Sequence, residues 1–231
     1  MPNDHPRNHP LDNPFWSALD SLHAGFALGT DQVRRFPPDV APFLGVAHAG
    51  VALEGVLERI VPPGDIVLLL GVAPARLRPG WVLDPLEDLV QMTCDAEVPV
   101  PDGPPVVELA AEHRADLLAL TALVYPHYFR PRTMELGRYF GIYVEGRLAA
   151  MAGERMGAPG FREMSAICTH PDFLGRGYAR RLTAMLGNDT LRRGSTPFLH
   201  VSQANARAMA LYDALGYRLR RTIPFWSLRR A

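Results

Sequence analysis

From residue 106 onward, the apolar and polar positions predict alternating strands and helices. Short apolar runs between turn residues predict strands, and apolar residues three or four apart predict helices. Glu145-Gly146 between two apolar runs predicts a hairpin turn. The predicted elements are strand 106–109, helix 112–123, strands 140–144, 147–152 and 163–169, helix 177–193, strand 198–201, helix 205–215 and a strand near 220–228. This order, β-α-β-β-β-α-β-α-β, predicts an α/β fold whose mixed, mostly antiparallel sheet is flanked by helices.

The first half of the chain has helix and strand patterns of its own. Apolar residues recur at helical spacing over 15–26 and again over 51–60, which predicts two helices. The apolar run 66–70 predicts a buried strand. We therefore expect a smaller α/β domain over 13–98, preceded by a disordered tail over 1–12.

A proline-dense segment separates the two halves. Residues 99–105 (PVPDGPP) contain four prolines and one glycine and cannot continue a helix or a central strand. We place a linker there and the main domain at 106–231.

Charge and cysteine content exclude several classes of protein. The 231 residues carry 24 basic and 24 acidic side chains, so no net charge favours a nucleic-acid or membrane partner. Every basic residue is an arginine, which excludes lysine chemistry. The two cysteines have no spacing suited to zinc and suit a reducing compartment. The longest apolar run, 66–73, is too short to span a bilayer. We expect a cytoplasmic protein without a metal.

The most informative segment is a strand that leads into a glycine-containing loop and a helix. The strand 163–169 is followed by His170-Pro171 and by the loop Leu174-Gly175-Arg176-Gly177-Tyr178-Ala179. Backbone N–H groups converge in such a turn, and the helix dipole favours an anion, so the segment predicts a pyrophosphate site. A dinucleotide-binding loop would need a third glycine where Arg180 stands, together with a later acidic residue, and both are missing.

Together with Asn205 and Tyr212 in the last predicted helix, this loop resembles the GNAT superfamily of acyl-CoA-dependent N-acetyltransferases. The resemblance covers about residues 105–231. The chain is most similar to the glycine N-acyltransferase-like branch, in which a degenerate copy of the fold precedes the active one, and this implies such a copy at 13–98. The signature Gln/Arg-x-x-Gly-x-Gly/Ala is matched except at its first position, which is Leu174.

The resemblance implies transfer of an acetyl group from acetyl-CoA to a primary amine of a small molecule, an amino acid or a protein. The loop 174–179 would hold the phosphates, and backbone groups of Ile167, Cys168 and Thr169 would hold the pantetheine arm. The implied acid is Tyr212, and the implied general base is Glu163. The resemblance also gives the side chain of Asn205 a contact with the pantetheine. The strand 198–201 must then splay away from the strand 163–169.

Other interpretations of these residues stay open. Glu154 and His170 are weaker candidates for the base, and Asn205 is also an ordinary helix N-cap. Tyr212 would also pack on one helical face with apolar neighbours. A non-catalytic acyl-CoA sensor and a transferase for longer acyl chains are the alternative functions.

For the acceptor we expect a pocket from residues 125–138. The aromatic and basic residues there are Tyr125, His127, Tyr128, Phe129 and Arg130. Such a cluster suits a substrate carboxylate, and it equally suits packing at a domain junction. The N-terminal half is a further source of pocket residues. The acceptor itself and the oligomeric state are not predicted.

Overall fold

The computed structural model describes residues 9–124, 126 and 128–231. In this part of the chain the helices are α1 (Pro14–Asp20), α2 (Leu57–Ile60), α3 (Arg114–Val124), α4 (Tyr178–Arg192) and α5 (Ala206–Ala214). The strands are β1 (Leu28–Gly29), β2 (Val33–Arg35), β3 (Leu44–Val46), β4 (Ile66–Leu70), β5 (Trp81–Pro85), β6 (Leu89–Thr93), β7 (Val107–Leu109), β8 (Tyr139–Val144), β9 (Arg147–Ala158), β10 (Phe161–Thr169), β11 (Thr196–Ser202), β12 (Arg218–Ile223) and β13 (Phe225–Arg230). Short 3₁₀ turns cover Pro10–Asp12, Ala24–Phe26, Ala111–His113, Thr133–Leu136 and Pro171–Phe173.

A seven-stranded sheet forms the centre of the molecule, in the order β12-β6-β11-β10-β9-β8-β7. Only the pair β10–β11 in this sheet is parallel, so the predicted mixed, mostly antiparallel α/β fold is confirmed. Helices α3 and α4 pack against β9 and β10 in two separate apolar clusters. The central strands β9 and β10 are therefore largely buried between the two helices.

Strand pairing crosses the boundary predicted at 99–105. Strand β6, from the first half, lies between β11 and β12 in the large sheet. Strand β13, at the end of the chain, pairs with β4 and β5. The segment 99–105 lies along α4, where Arg181 donates hydrogen bonds to the carbonyls of Pro101 and Pro104. The two halves share sheets across this segment, and a degenerate copy at 13–98 stays a prediction.

Two predicted helices of the first half are shorter than expected. Helix α1 ends at Asp20 because Ser21 leaves the helical conformation, with φ −132° and ψ −104°. Leu22, which the spacing placed inside, is 47% exposed. Within residues 51–60, Gly55 has a left-handed backbone conformation (φ +66°) that interrupts the helix. Only α2 is therefore α-helical in this segment. The strand predicted at 66–70 is confirmed as β4.

The two ends of the chain also differ from the prediction. Of the expected tail, residues 1–8 lie outside the described part, whereas Pro10–Asp12 form a 3₁₀ turn with Leu11 fully buried. The strand expected near 220–228 is two strands, because Pro224 stands between β12 and β13 and has no N–H to continue a ladder. The carbonyl of Pro224 accepts a hydrogen bond from the backbone N–H of Gly71. This bond joins the first half of the chain to the start of the last strand.

In the second half, the order of elements is as predicted up to β12. The hairpin turns at Glu145 and Gly146, both with positive φ, and α4 and α5 lie within two residues of the predicted bounds. Strand β9 is six residues longer than predicted and runs on through Glu154 and Arg155. In the sequence, these two charged residues end the apolar pattern and so shorten the predicted strand. In the structure both are buried, because each forms an ion pair.

Candidate active site

Strands β10 and β11 are paired at one end only and form a fork. Their parallel pairing runs from Phe161↔Thr196 to Glu163↔Phe198 and ends there. Over residues 164–169, β10 is paired with β9 on its other side. The splay that the resemblance required is therefore present. A strand edge opened in this way can take the amides of an extended ligand as if they were another strand.

Strand β10 has a bulge just beyond the point where the fork opens. Between Ser165 and Cys168, two residues of β10 (Ala166 and Ile167) stand opposite one residue of β9. Ala166 has a φ of +50°, a left-handed conformation that costs an alanine about 1–2 kcal/mol. Bulges redirect the backbone that follows them. This one brings Ile167 and Cys168 to the walls of two cavities.

The first cavity, of about 450 Å³, lies against the N-terminus of the 15-residue helix α4. Gly175 and the N-cap Gly177 have φ values of +77° and +76°, which favour glycine. All ten residues predicted to contact a cofactor line this cavity: Ile167, Cys168, Thr169, Leu174, Gly175, Arg176, Gly177, Tyr178, Ala179 and Asn205. The structure brings them together, and their role in binding stays a prediction.

Three arginines give the first cavity a positive charge. Arg176, Arg180 and Arg207 line it, and the guanidinium of Arg176 lies 5.1 Å from the centre of the Phe173 ring. None of the three forms a salt bridge with a described residue. Their charges and the N-terminus of α4 therefore favour a bound anion. Arg176 was predicted from the sequence, whereas Arg180 and Arg207 were not, although both are basic residues in the first turns of the two predicted helices.

A second cavity, of about 380 Å³, lies at the fork, where residues of both β10 and β11 line it, and both halves of the chain contribute to its wall. The first half supplies apolar walls that the sequence analysis did not identify: Phe15, Phe43, Leu70 and Leu89. Six residues line both cavities: Val124, Ile167, Cys168, Asn205, Ala208 and Tyr212. A group bound in one cavity can therefore meet a group bound in the other at this junction.

Tyr212 and Asn205 belong to α5 and lie at the junction. Asn205 is the N-cap, and its Oδ1 accepts a hydrogen bond of 3.0 Å from the backbone N–H of Ala208. The ordinary N-cap interpretation is confirmed, and Asn205 also faces both cavities. Tyr212 is 8% exposed and packs in the main apolar cluster, with its ring 5.9 Å from that of Tyr217. Its place in the walls of both cavities fits a role at the reacting atoms.

Glu163, the predicted base, is fully engaged by its neighbours. Its two oxygens each accept a hydrogen bond of 2.9 Å from Arg155, and Oε1 also lies 2.8 Å from Nδ1 of His200. Burial alone would raise the pKa of this carboxyl, but the charge of Arg155 and the hydrogen bond from His200 lower it to about 2. Such a carboxylate is a weak base at neutral pH.

The hydrogen-bond network continues from His200 on β11 through β6 to the edge strand β12. Arg220 donates to Oε1 of Gln91, so Nε2 of Gln91 faces the carbonyl of Leu11 and Nε2 of His200, at 2.9 Å each. Nε2 of His200 therefore accepts a hydrogen bond, and Nδ1 carries the proton that is donated to Glu163. This network could not be predicted from the sequence, since its members lie far apart along the chain.

The weaker candidates for the base lie away from both cavities. Glu154 is held by Arg138 at 2.7 Å, and neither residue lines a cavity. His170 caps the turn after β10, where its Nδ1 accepts a hydrogen bond from the backbone N–H of Asp172. Both residues therefore have structural roles, and the sequence spacing could not show this.

Cys168 places a thiol near the junction, but the thiol is not suited to nucleophilic attack. The side chain packs in the apolar cluster under α3 and is 6% exposed. Burial raises the pKa of the Cys168 thiol to about 12, so it stays protonated at neutral pH. Cys168 is therefore not a candidate for a covalent enzyme intermediate.

Only part of the segment expected to form the acceptor pocket can be placed. Tyr128 lines the second cavity, whereas Phe129 packs on the ring of Tyr139 at 5.5 Å. Arg130 is exposed and does not line either cavity. Tyr125 and His127 lie outside the described residues.

Comparison with known proteins identifies the family. A protein from Novosphingobium aromaticivorans that is assigned to the GNAT family of acetyltransferases is 33% identical, over 97% of this chain and 100% of that chain, with a TM-score of 0.86. The chain belongs to the GNAT family. The FR47-like protein family, in addition, matches residues 139–226 of this GNAT protein.

More distant structures share the fold of this GNAT protein. A GCN5-related N-acetyltransferase from Kribbella flavida is 18% identical over 92% of this chain and 93% of its own, with a TM-score of 0.64. One from Sphaerobacter thermophilus is 15% identical over 81% and 71%, with a TM-score of 0.51. None of the curated proteins matches the sequence significantly. The glycine N-acyltransferase-like branch stays a prediction.

In the described part of this GNAT protein, every helix is too short or too polar to cross a membrane. No group of three or more His, Cys, Asp or Glu side chains is arranged there to hold a metal ion.

Proposed function

We propose that this GNAT protein transfers an acetyl group from acetyl-CoA to a primary amine of a small molecule, an amino acid or a protein. The observation that carries the proposal is the junction of the two cavities at the β10–β11 fork, with Tyr212 in the wall of both. One cavity offers the positive groups that phosphates need, and the other offers space for a second substrate.

The chemistry of the first cavity fits acetyl-CoA. A Cβ added at Gly175 or Gly177 would meet no atom within 4 Å, so the loop backbone is open to a ligand. The phosphates would bind at the N-terminus of α4 with Arg176, Arg180 and Arg207. The open edge of β10 over residues 164–169 would bind the pantetheine amides.

When bound, acetyl-CoA supplies a thioester that is already activated for transfer. In the reaction a C–N bond forms and the C–S bond breaks. Tyr212 donates its hydroxyl proton to the departing sulfur, since a tyrosine (pKa ~10) and a thiol (pKa ~8.5) are close enough for proton transfer. Solvent takes the proton released by the amine and restores that of Tyr212.

Glu163 acts as a positioning residue in this proposal. With Arg155 and His200 it ties β10 to β11 at the last paired position before the fork opens. The low pKa of Glu163 and its occupied oxygens support this role over that of a base. The amine then loses its proton to water in the second cavity.

The proposal is tested by the release of free thiol from acetyl-CoA in the presence of a panel of primary amines. We expect release that depends on the amine. Binding of acetyl-CoA without amine-dependent release would support the acyl-CoA sensor instead. Faster release from a longer acyl-CoA would favour the transferase for longer chains.

A further inference from the structure

The second cavity has a predominantly aromatic and aliphatic wall. Phe15 and Phe43 are stacked with their ring centres 4.3 Å apart, and Tyr128 and Phe225 add two more aromatic rings. Leu89 belongs to the same wall and is half-buried. Such a wall suits a hydrocarbon group, and a volume of about 380 Å³ suits a small molecule.

The formal charges of the second cavity cancel. Glu163 is the one acidic residue and Arg155 the one arginine among the described residues that line it, and they form a bidentate pair. A substrate carboxylate would have to compete with Glu163 for Arg155. A second substrate ammonium would have to compete with Arg155 for Glu163. Either group would be desolvated without a free partner of opposite charge, which is unfavourable.

The direction of the substrate follows from the proposed function. The acetyl donor would lie in the first cavity, so the acceptor nitrogen has to lie at Ile167 and Tyr212, where the two cavities meet. The aromatic group then packs against the wall that Phe15 and Phe43 form.

We propose that the second cavity accepts an arylalkylamine, a primary amine attached to an aromatic hydrocarbon, whose nitrogen is its only charged group. This inference rests on the proposed function and narrows its acceptor class. Amino acids, polyamines and peptide N-termini are the acceptors that it disfavours.

The test compares acceptors that differ in one group, with the full-length protein and acetyl-CoA. 2-Phenylethylamine and phenylalanine differ only in the carboxylate, and hexylamine and 1,6-diaminohexane differ only in the second amine. We expect kcat/KM for the singly charged member to be higher by about 100-fold or more in each pair, because the other member brings an uncompensated charge. Equal values, or a preference for phenylalanine, the diamine or a peptide N-terminus, would overturn the inference.

A variant of the wall adds a second readout. Leu89→Arg places a free cation in the cavity and should raise kcat/KM for phenylalanine relative to 2-phenylethylamine by about tenfold or more. Leu86→Arg, at an exposed leucine outside both cavities, is the control and should leave the ratio unchanged. The comparison of acceptors with the wild-type protein decides the matter even if Leu89→Arg does not fold.

Failure of this inference can be told apart from failure of the proposed function. If amino acids or polyamines are acetylated and arylalkylamines are not, the acceptor class is wrong and the acetyltransferase stands. If no amine releases thiol, the proposed function fails and this inference fails with it.

Discussion

Nδ1 of His200 lies 2.8 Å from Oε1 of Glu163, next to the last position at which β10 and β11 are paired. The contact joins the two strands where their backbones separate. With Arg155 on the other side of the carboxylate, it forms a buried cluster that holds the fork open at a fixed place.

The first prediction concerns the buried pair. Glu163→Leu leaves Arg155 buried without its carboxylate and should lower the free energy of unfolding by roughly 3–5 kcal/mol. The double variant with Arg155→Met replaces the pair by apolar groups and should recover much of this loss. Chemical denaturation of the four proteins of this cycle measures the coupling. Additive losses would contradict a coupled pair.

The second prediction concerns the base. Because the pKa of Glu163 is about 2, the carboxylate is ionised throughout the working range, and the free fraction of the amine limits the rate. We expect kcat/KM to rise about tenfold per pH unit from pH ~6 until the pKa of the amine is reached. An acceptor with a lower amine pKa should shift this profile by the same difference. A plateau near pH ~6–7 that is independent of the amine would instead indicate a base on the enzyme.

The third prediction concerns stability at acid pH. Burial lowers the pKa of His23 to about 4, with the charge of Arg162 adding to the effect. The unfolded state takes up this proton near pH 6.5 and the folded state only near 4, so stability falls as the pH drops between these values. The loss is up to about 1.4 kcal/mol per pH unit.

For the third prediction, His23→Phe should flatten the dependence of unfolding free energy on pH between about 6.5 and 4. Glu163 contributes at lower pH, because its lowered pKa gives stability that is lost as the pH falls from 4.5 toward 2. An unchanged slope in His23→Phe between pH ~6.5 and ~4 would show that His23 does not cause the loss.

Much of the second half could be predicted from the sequence because its signals are local. The glycines at 175 and 177 mark the start of α4, Asn205 caps α5, and the turn at Glu145 closes a hairpin. Each of these signals needs only a few neighbouring residues. The local sequence pattern therefore identified ten of the residues that line the first cavity.

The parts that were missed depend on contacts between distant residues. The position of β6 between β11 and β12 cannot be read from its five residues. The burial of Arg155 could not be predicted either, because its charge interrupts the apolar pattern of the strand. Only the structure shows that the carboxylate of Glu163, eight positions later, compensates this charge. The apolar wall from Phe15 and Phe43 likewise appears only when the first half folds against the second.

The fourth prediction concerns the anion site. Arg176→Ala should raise the Kd for acetyl-CoA by about five- to fiftyfold, because it removes a charge that has no carboxylate partner among the described residues. Arg193→Ala removes the same charge at the other end of α4 and should have little effect. Isothermal titration at two salt concentrations measures both. Equal losses in the two variants would contradict a local phosphate contact and indicate a general effect of net charge.

The fifth prediction concerns Tyr212 and has a matched control nearby. Tyr212→Phe should lower kcat by about 100-fold or more while the Kd for acetyl-CoA stays nearly unchanged, because only the donated proton is lost. Tyr217 is buried, and its hydroxyl has no hydrogen-bond partner among the described residues. Tyr217→Phe should therefore keep the activity and leave stability equal or higher by about 1 kcal/mol.

The central claim is that the β10–β11 fork joins an acetyl donor to an amine with Tyr212 as the acid. Its most direct test is quantification, by mass spectrometry, of N-acetylated amine and free coenzyme A after mixing with acetyl-CoA and 2-phenylethylamine. We predict one acetylated amine for each free thiol in the wild type and in Tyr217→Phe, and little of either in Tyr212→Phe. Thiol release without acetylated amine, or full activity in Tyr212→Phe, would contradict the account.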